Sequence, residues 1–136
     1  MKSFFIRAFI AQMLVLTVVS CRKYSSSSTT AYPTERKIRF QLYTNEDFSG
    51  ETSAINFSIF IRTANKTLFD STLAPMQLKD IPDALHKLVI EKNVLANANS
   101  DLAAGFQYEL ENVGISWFID TSKGGNPFKV IDYAFQ

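Results

Sequence analysis

The sequence predicts an all-β fold, two antiparallel sheets packed as a sandwich over residues 34–136. Three features carry that expectation. Apolar and polar residues alternate with a period of two in run after run, as in strands with one buried and one wet face. The apolar positions are rich in Ile, Val, Phe, Tyr and Trp, which suit a pleated surface. Gly, Pro, Asn, Asp and Ser punctuate the chain between the runs. The 136 residues are 46% hydrophobic and 13% aromatic, enough for one domain whose core needs neither disulfide nor metal.

Each element follows from its own run. Ile38, Phe40 and Leu42 alternate with Lys37, Arg39 and Gln41, a half-buried strand. Asn45-Glu46-Asp47 and Ser49-Gly50 supply a turn-rich loop. Ile55, Phe57, Ile59 and Ile61 then alternate with Asn56, Ser58 and Phe60, the clearest strand in the chain. Ala64-Asn65-Lys66 turns the chain into a strand over residues 67–71. Residues 80–96 admit two periods. Ile81, Leu85, Leu88, Val89 and Leu95 fit a helix capped by Asp80, whereas Leu88 and Ile90 inward with Lys87, Val89 and Glu91 outward fit a strand. We favour a short turn at Ile81-Pro82-Asp83 and a strand from His86 to Val94. Phe106, Tyr108 and Leu110 begin another strand, Asn112-Val113-Gly114 a turn, and Ile115, Trp117 and Ile119 a strand apolar on both faces, which implies cover on both. Lys123-Gly124-Gly125-Asn126-Pro127 reads as a hairpin loop, and residues 128–135 close the sandwich. Short strands with regular turns suit an immunoglobulin-like or transthyretin-like sandwich with at most one short helical turn.

The first 33 residues read differently. Lys2 and Arg7 precede an apolar run from Ala8 to Val19 broken only by Gln12 and Thr17, the charged and hydrophobic regions of a secretion signal. Twelve helical residues span about 18 Å, short of a hydrocarbon core of about 30 Å. Val18-Val19-Ser20-Cys21 follows. This run resembles the lipobox of bacterial lipoproteins, with Val18 where leucine is usual and the bulky Val19 where the pattern prefers a small residue. The resemblance implies that residues 1–20 are a signal peptide cut before Cys21, whose thiol carries diacylglycerol and whose new amine is often acylated. Two or three chains there would hold the protein permanently on a membrane, where one chain holds only marginally. Arg22 stands where an aspartate would signal retention in the inner membrane, so the resemblance favours the outer membrane, and Arg22-Lys23-Tyr24 in place of the acidic residues of surface-exported lipoproteins favours its periplasmic face. Residues 21–33, with Ser25-Ser26-Ser27-Ser28-Thr29-Thr30, form a polar tether.

Composition excludes several kinds of chemistry. Removing Lys2 and Arg7, the only charges of the leader, takes the formal net charge from +1 to −1, so nothing draws the domain to nucleic acid. Cys21 is the sole cysteine, which leaves no internal disulfide and no thiolate zinc site. His86 is the sole histidine, and no Gly-x-Ser-x-Gly elbow accompanies it. Glu46, Asp47 and Glu51 share a loop with Asn45 but not the spacing of a calcium loop, so a solvated loop is the better reading. Gly124-Gly125 lacks the length and the following Lys-Ser/Thr of a phosphate cradle. Asp70-Ser71-Thr72 is similar to the O-glycosylation sequon of Bacteroidota-type bacteria, which would place a glycan on Ser71.

The lipobox, serine tether and aromatic-rich β-domain together resemble small lipoproteins of Bacteroidota-type bacteria, a likeness that brings no activity with it. The expectation is a lipid-anchored, non-enzymatic envelope protein without cofactor, which binds an envelope protein or glycan or has a structural role. A carbohydrate-binding accessory module would need coplanar exposed aromatics, drawn from Trp117, Tyr108, Phe118 and Tyr133. A carboxylate-based hydrolase would need two carboxyl groups roughly 5–9.5 Å apart in a cleft. Donor-strand assembly would need an exposed strand edge.

Overall fold

The computed structural model describes residues 32–136, which form two sheets packed face to face. Eight strands follow in chain order: β1 (Pro33–Thr44), β2 (Ala54–Arg62), β3 (Thr67–Thr72), β4 (Met76–Gln77), β5 (Leu88–Asn97), β6 (Leu102–Leu110), β7 (Gly114–Ser122) and β8 (Phe128–Phe135). One sheet runs β5-β1-β8, and the other runs β3-β2-β6-β7 with β4 on the same edge of β2 as β3. The ambiguous stretch resolves as strand β5. It starts two residues after His86 and runs past Val94 to Asn97, because pairing with β1 from Leu42↔Leu88 to Pro33↔Asn97 engages one side of its backbone along the whole length. Among the described residues the one helical turn is 3₁₀, at Leu78–Asp80, just ahead of the expected turn at Ile81-Pro82-Asp83.

Two expectations are corrected. Pairing is antiparallel except between β1 and β8, which run parallel from Lys37↔Phe128 to Thr44↔Phe135. Nearly the whole domain separates these strands in sequence, so a parallel return is not limited by connection length. Residues 123–127 are therefore no hairpin loop. They carry the chain from β7 in one sheet to β8 in the other. The turns after β2 and β6 are hairpins as expected, with Asn112 and Gly114 in the left-handed region.

The period of two becomes a core. Ile38, Phe40 and Leu42 of β1 meet Ile55, Phe57, Ile59 and Ile61 of β2, with Leu102, Ala104 and Phe106 of β6 and Ile131 and Phe135 of β8. Phe106 lies edge-on to Phe40 at 5.7 Å and to Phe57 at 6.4 Å, a favoured arrangement of ring quadrupoles. A lysine pointing inward stands at each open side of the sandwich. Lys92 of β5 lies 5.0 Å from the Phe69 ring of β3, and Lys129 of β8 pairs with Asp120 of β7 at 2.7 Å. Charges facing inward at sheet edges discourage further strand pairing.

Candidate functional surfaces

The inward row of β1 does not stay apolar. Arg36 shares it with Ile38, Phe40 and Leu42, and is only 2% exposed. Its Nε donates to the Asn126 carbonyl (3.0 Å) and Nη1 to the Ser100 carbonyl (2.6 Å). Nη2 reaches the Ser122 carbonyl (3.0 Å), the Ser122 hydroxyl (2.7 Å) and the Lys123 carbonyl (2.8 Å). Burial pushes its pKa down, against the opposing charge of Asp101. One planar fork thus binds the loop between β5 and β6 to the loop between β7 and β8. Asp101 reinforces the join, pairing with Lys123 at 2.9 Å and accepting the Gly124 N–H at 2.9 Å. Those bonds hold its carboxyl below the usual range, Lys123 foremost. With each of its three nitrogens bound to oxygens of the same chain, Arg36 is a clasp and not an anion receptor.

The outer faces of the two sheets differ in chemistry. On β5-β1-β8, Glu91 pairs with Lys37 (3.1 Å) and Arg39 (2.6 Å), and the Arg39 guanidinium lies 5.3 Å from the Phe128 ring. Hydrogen bonds from Arg39, then Lys37, lower the pKa of Glu91. Lys87 meets Asp132 at 2.8 Å and lies 3.9 Å from the Tyr43 ring. On the other sheet, the outward residues of β7 are Ile115, Trp117 and Ile119, exposed by 51%, 55% and 54%. The Trp117 indole N–H donates to Gln107 Oε1 at 3.1 Å, which fixes the ring on the sheet. The described residues themselves cover one face of this strand. Phe118 packs inward against Tyr133 at 4.6 Å, while no described residue buries the outer row.

The remaining candidates are placed as follows. Cys21 lies outside the described residues. Ser71 sits on β3 opposite Ile59, half-buried, between the exposed Asp70 and Thr72. His86 is exposed and its Nδ1 lies 2.9 Å from Asp83, which also accepts the Leu85 and His86 backbone N–H groups. The His86 contact leads in lowering the Asp83 pKa. Asp83 thereby organises a turn. Asp47 likewise accepts the Ser49 N–H at 3.0 Å, and that bond lowers its pKa. Among the described residues no three His, Cys, Asp or Glu side chains gather into a metal-binding group. Of the four aromatics considered together, Trp117 faces out, whereas Tyr108, Phe118 and Tyr133 pack between the sheets. The other half-exposed ring, Phe128, belongs to the opposite outer face. Sequence reasoning missed Arg36, although its even spacing with Ile38, Phe40 and Leu42 already put it on the inner row.

Fold and surfaces together define an all-β sandwich domain with a salt-bridged face and an apolar edge strand. Comparison with protein-family models, with curated proteins and with solved structures finds no match to this chain.

Proposed function

We propose that this chain is a lipid-anchored, non-enzymatic interaction protein of the bacterial envelope, held by Cys21 on the periplasmic face of the outer membrane. The observation that carries the interaction half is the bare Ile115-Trp117-Ile119 row. On a domain whose other outer face is laced with ion pairs, an apolar row on an edge strand reads as a contact surface. The anchoring half is supported by the charged leader, its apolar run and the Val18-Val19-Ser20-Cys21 lipobox. Acyl chains on Cys21 and a polar tether would keep the domain near the membrane without spanning it.

The test is fractionation with intact mass spectrometry of the protein extracted from its own membranes. We expect a mature chain beginning at a diacylated or triacylated Cys21, and Cys21→Ala protein retained as an unlipidated form outside the detergent fraction. Membrane retention unchanged by Cys21→Ala would remove the anchor from the reading.

A further inference from the structure

We infer that the β7 edge pairs with β7 of a second copy, antiparallel across a two-fold axis at Trp117. The proposal rests on the reading of the β7 row as a contact surface and names its occupant.

β7 is a strand end of its sheet, bonded to β6 alone, so its far side offers main-chain donors and acceptors for another strand. The other long edge strands present charge on their outer rows: Asp70 on β3, Glu91 on β5, Asp132 on β8. The outer row of β7 is Ile115, Trp117, Ile119 and Thr121, with no charge to repel a neighbour. Its one ionised side chain, Asp120, points inward and is neutralised by Lys129 at 2.7 Å within its own chain.

The row is also self-complementary, as a two-fold contact requires. With Trp117 opposite the partner's Trp117, Ile115 falls opposite the partner's Ile119, and Ile119 opposite the partner's Ile115. Asp120 then faces the partner's Gly114, which has no side chain to obstruct it. Just beyond the paired segment, the same register brings Lys123, already paired with Asp101 of its own chain, near the turn that carries the partner's Glu111, so opposite charges and not like ones meet at both ends. Shifting the axis by one residue, to Phe118, keeps Trp117 opposite the partner's Ile119 but sets Ile115 opposite the partner's Thr121 and Lys123 opposite the partner's Val113, so only the Trp117 register places the whole apolar row against itself. Three half-exposed side chains alone fall short of the ~800 Å² per partner of a standard interface, so backbone pairing along the open edge is part of the contact. The product is one continuous sheet in which the two apolar rows lie side by side.

The experiment is oxidative cross-linking of the full chain in its own membranes, with Trp117→Cys or Thr121→Cys as the introduced thiol and the wild-type chain as control. Both positions lie on the solvent side, and Trp117→Cys gives up one exposed hydrogen bond, to Gln107, that the Thr121 side chain does not make. Opposed residues of an antiparallel pair have Cα atoms about 4.5–5.5 Å apart, within disulfide reach. In this register the two copies of residue 121 stand about 26 Å apart. Trp117→Cys should convert most of the chain to a disulfide dimer and Thr121→Cys at least tenfold less, with Ile119→Lys reducing the Trp117→Cys product several-fold. A Trp117→Cys chain that stays monomeric, or Thr121→Cys cross-linking equally well, overturns the proposal. A photoreactive residue at position 117 separates the two readings. Capture of a different protein without self-product removes the second copy but leaves a contact surface, whereas no product of either kind removes both.

Discussion

Arg36 decides more about this domain than any other polar side chain. A charge taken out of water is costly, and replacing buried ion pairs by apolar groups is often neutral. Here the acceptors are the carbonyls of Ser100, Ser122, Lys123 and Asn126, which no substitution can remove. An apolar residue at this position leaves them without that donor; the Ser122 bond is buried and the other three are partly so, and a buried acceptor left unpaired keeps its desolvation penalty. Arg36→Met should therefore cost about 3 kcal/mol, read as a lower urea midpoint with an unchanged slope. An unaltered midpoint would mean that water satisfies the two loops without the guanidinium. At the other end of the same row Thr44 performs a smaller version of the task, donating to the Phe135 carbonyl at 3.0 Å and accepting the Glu46 N–H at 2.9 Å.

At the scale of the element, the pairing of β6 with β7 depends on one missing side chain. Gly105 is buried opposite Ile119, and a Cβ there would collide with the Phe118 carbonyl of the neighbouring strand. Gly105 also stands beside Phe60, which belongs to the outer row of β2 yet is only 3% exposed, with the Arg62 guanidinium 3.9 Å from its ring. Gly105→Ala must push β7 away from β6, at a cost of about 1–3 kcal/mol in thermal or urea unfolding. Gly50→Ala is the matched control, because a Cβ there meets nothing and stability should hardly change. Equal effects at both sites would show that backbone entropy, and not the close approach of the strands, governs the difference. Strand existence was legible from the alternation of side chains, as in Ile55 to Ile61. The need for Gly105 was not, since the colliding atom belongs to a strand more than ten residues away in sequence.

Over the whole molecule, stability should fall at both extremes of pH, and the two limbs have separate origins. Glu91, Asp101 and Asp120 hold depressed pKa values through their cationic partners Arg39, Lys123 and Lys129. A carboxylate depressed in the fold contributes stability that is complete above its unfolded pKa and is lost as the pH falls through the folded one, so the acid limb lies below about pH 4. All three groups are largely solvated, and that limb is shallow. The alkaline limb belongs chiefly to Tyr133, whose pKa is raised above the phenol value of 10.0 by burial between Phe118, Phe106 and Tyr108; the exposed Lys87 and Lys123, raised by Asp132 and Asp101, add to it only weakly. A raised pKa contributes stability present below the unfolded value and lost as the pH rises towards the folded one, so unfolding should accelerate above about pH 10. Tyr133→Phe should flatten this dependence while changing stability little at neutral pH. An alkaline limb identical in the variant would assign it to other groups.

From the chain alone come β1, β2, β3, β6, β7 and β8 as strands, the core faces of β1 and β2, the turns of the hairpins after β2 and β6, and the export and anchoring chemistry to expect, whereas residues 80–96 fit two periods. These are local properties, written in a period of two, in turn residues and in a contiguous motif. Long-range contacts make residues 88–97 a strand, run β8 parallel beside β1, carry residues 123–127 between two sheets and bury Arg36. They also leave the outer row of β7 bare and turn Tyr108, Phe118 and Tyr133 inward away from Trp117. The physical reason is range. Alternation tells that a strand has two faces, but which layer covers each face, and which distant carbonyls meet a guanidinium, is set by contacts between residues far apart in the chain.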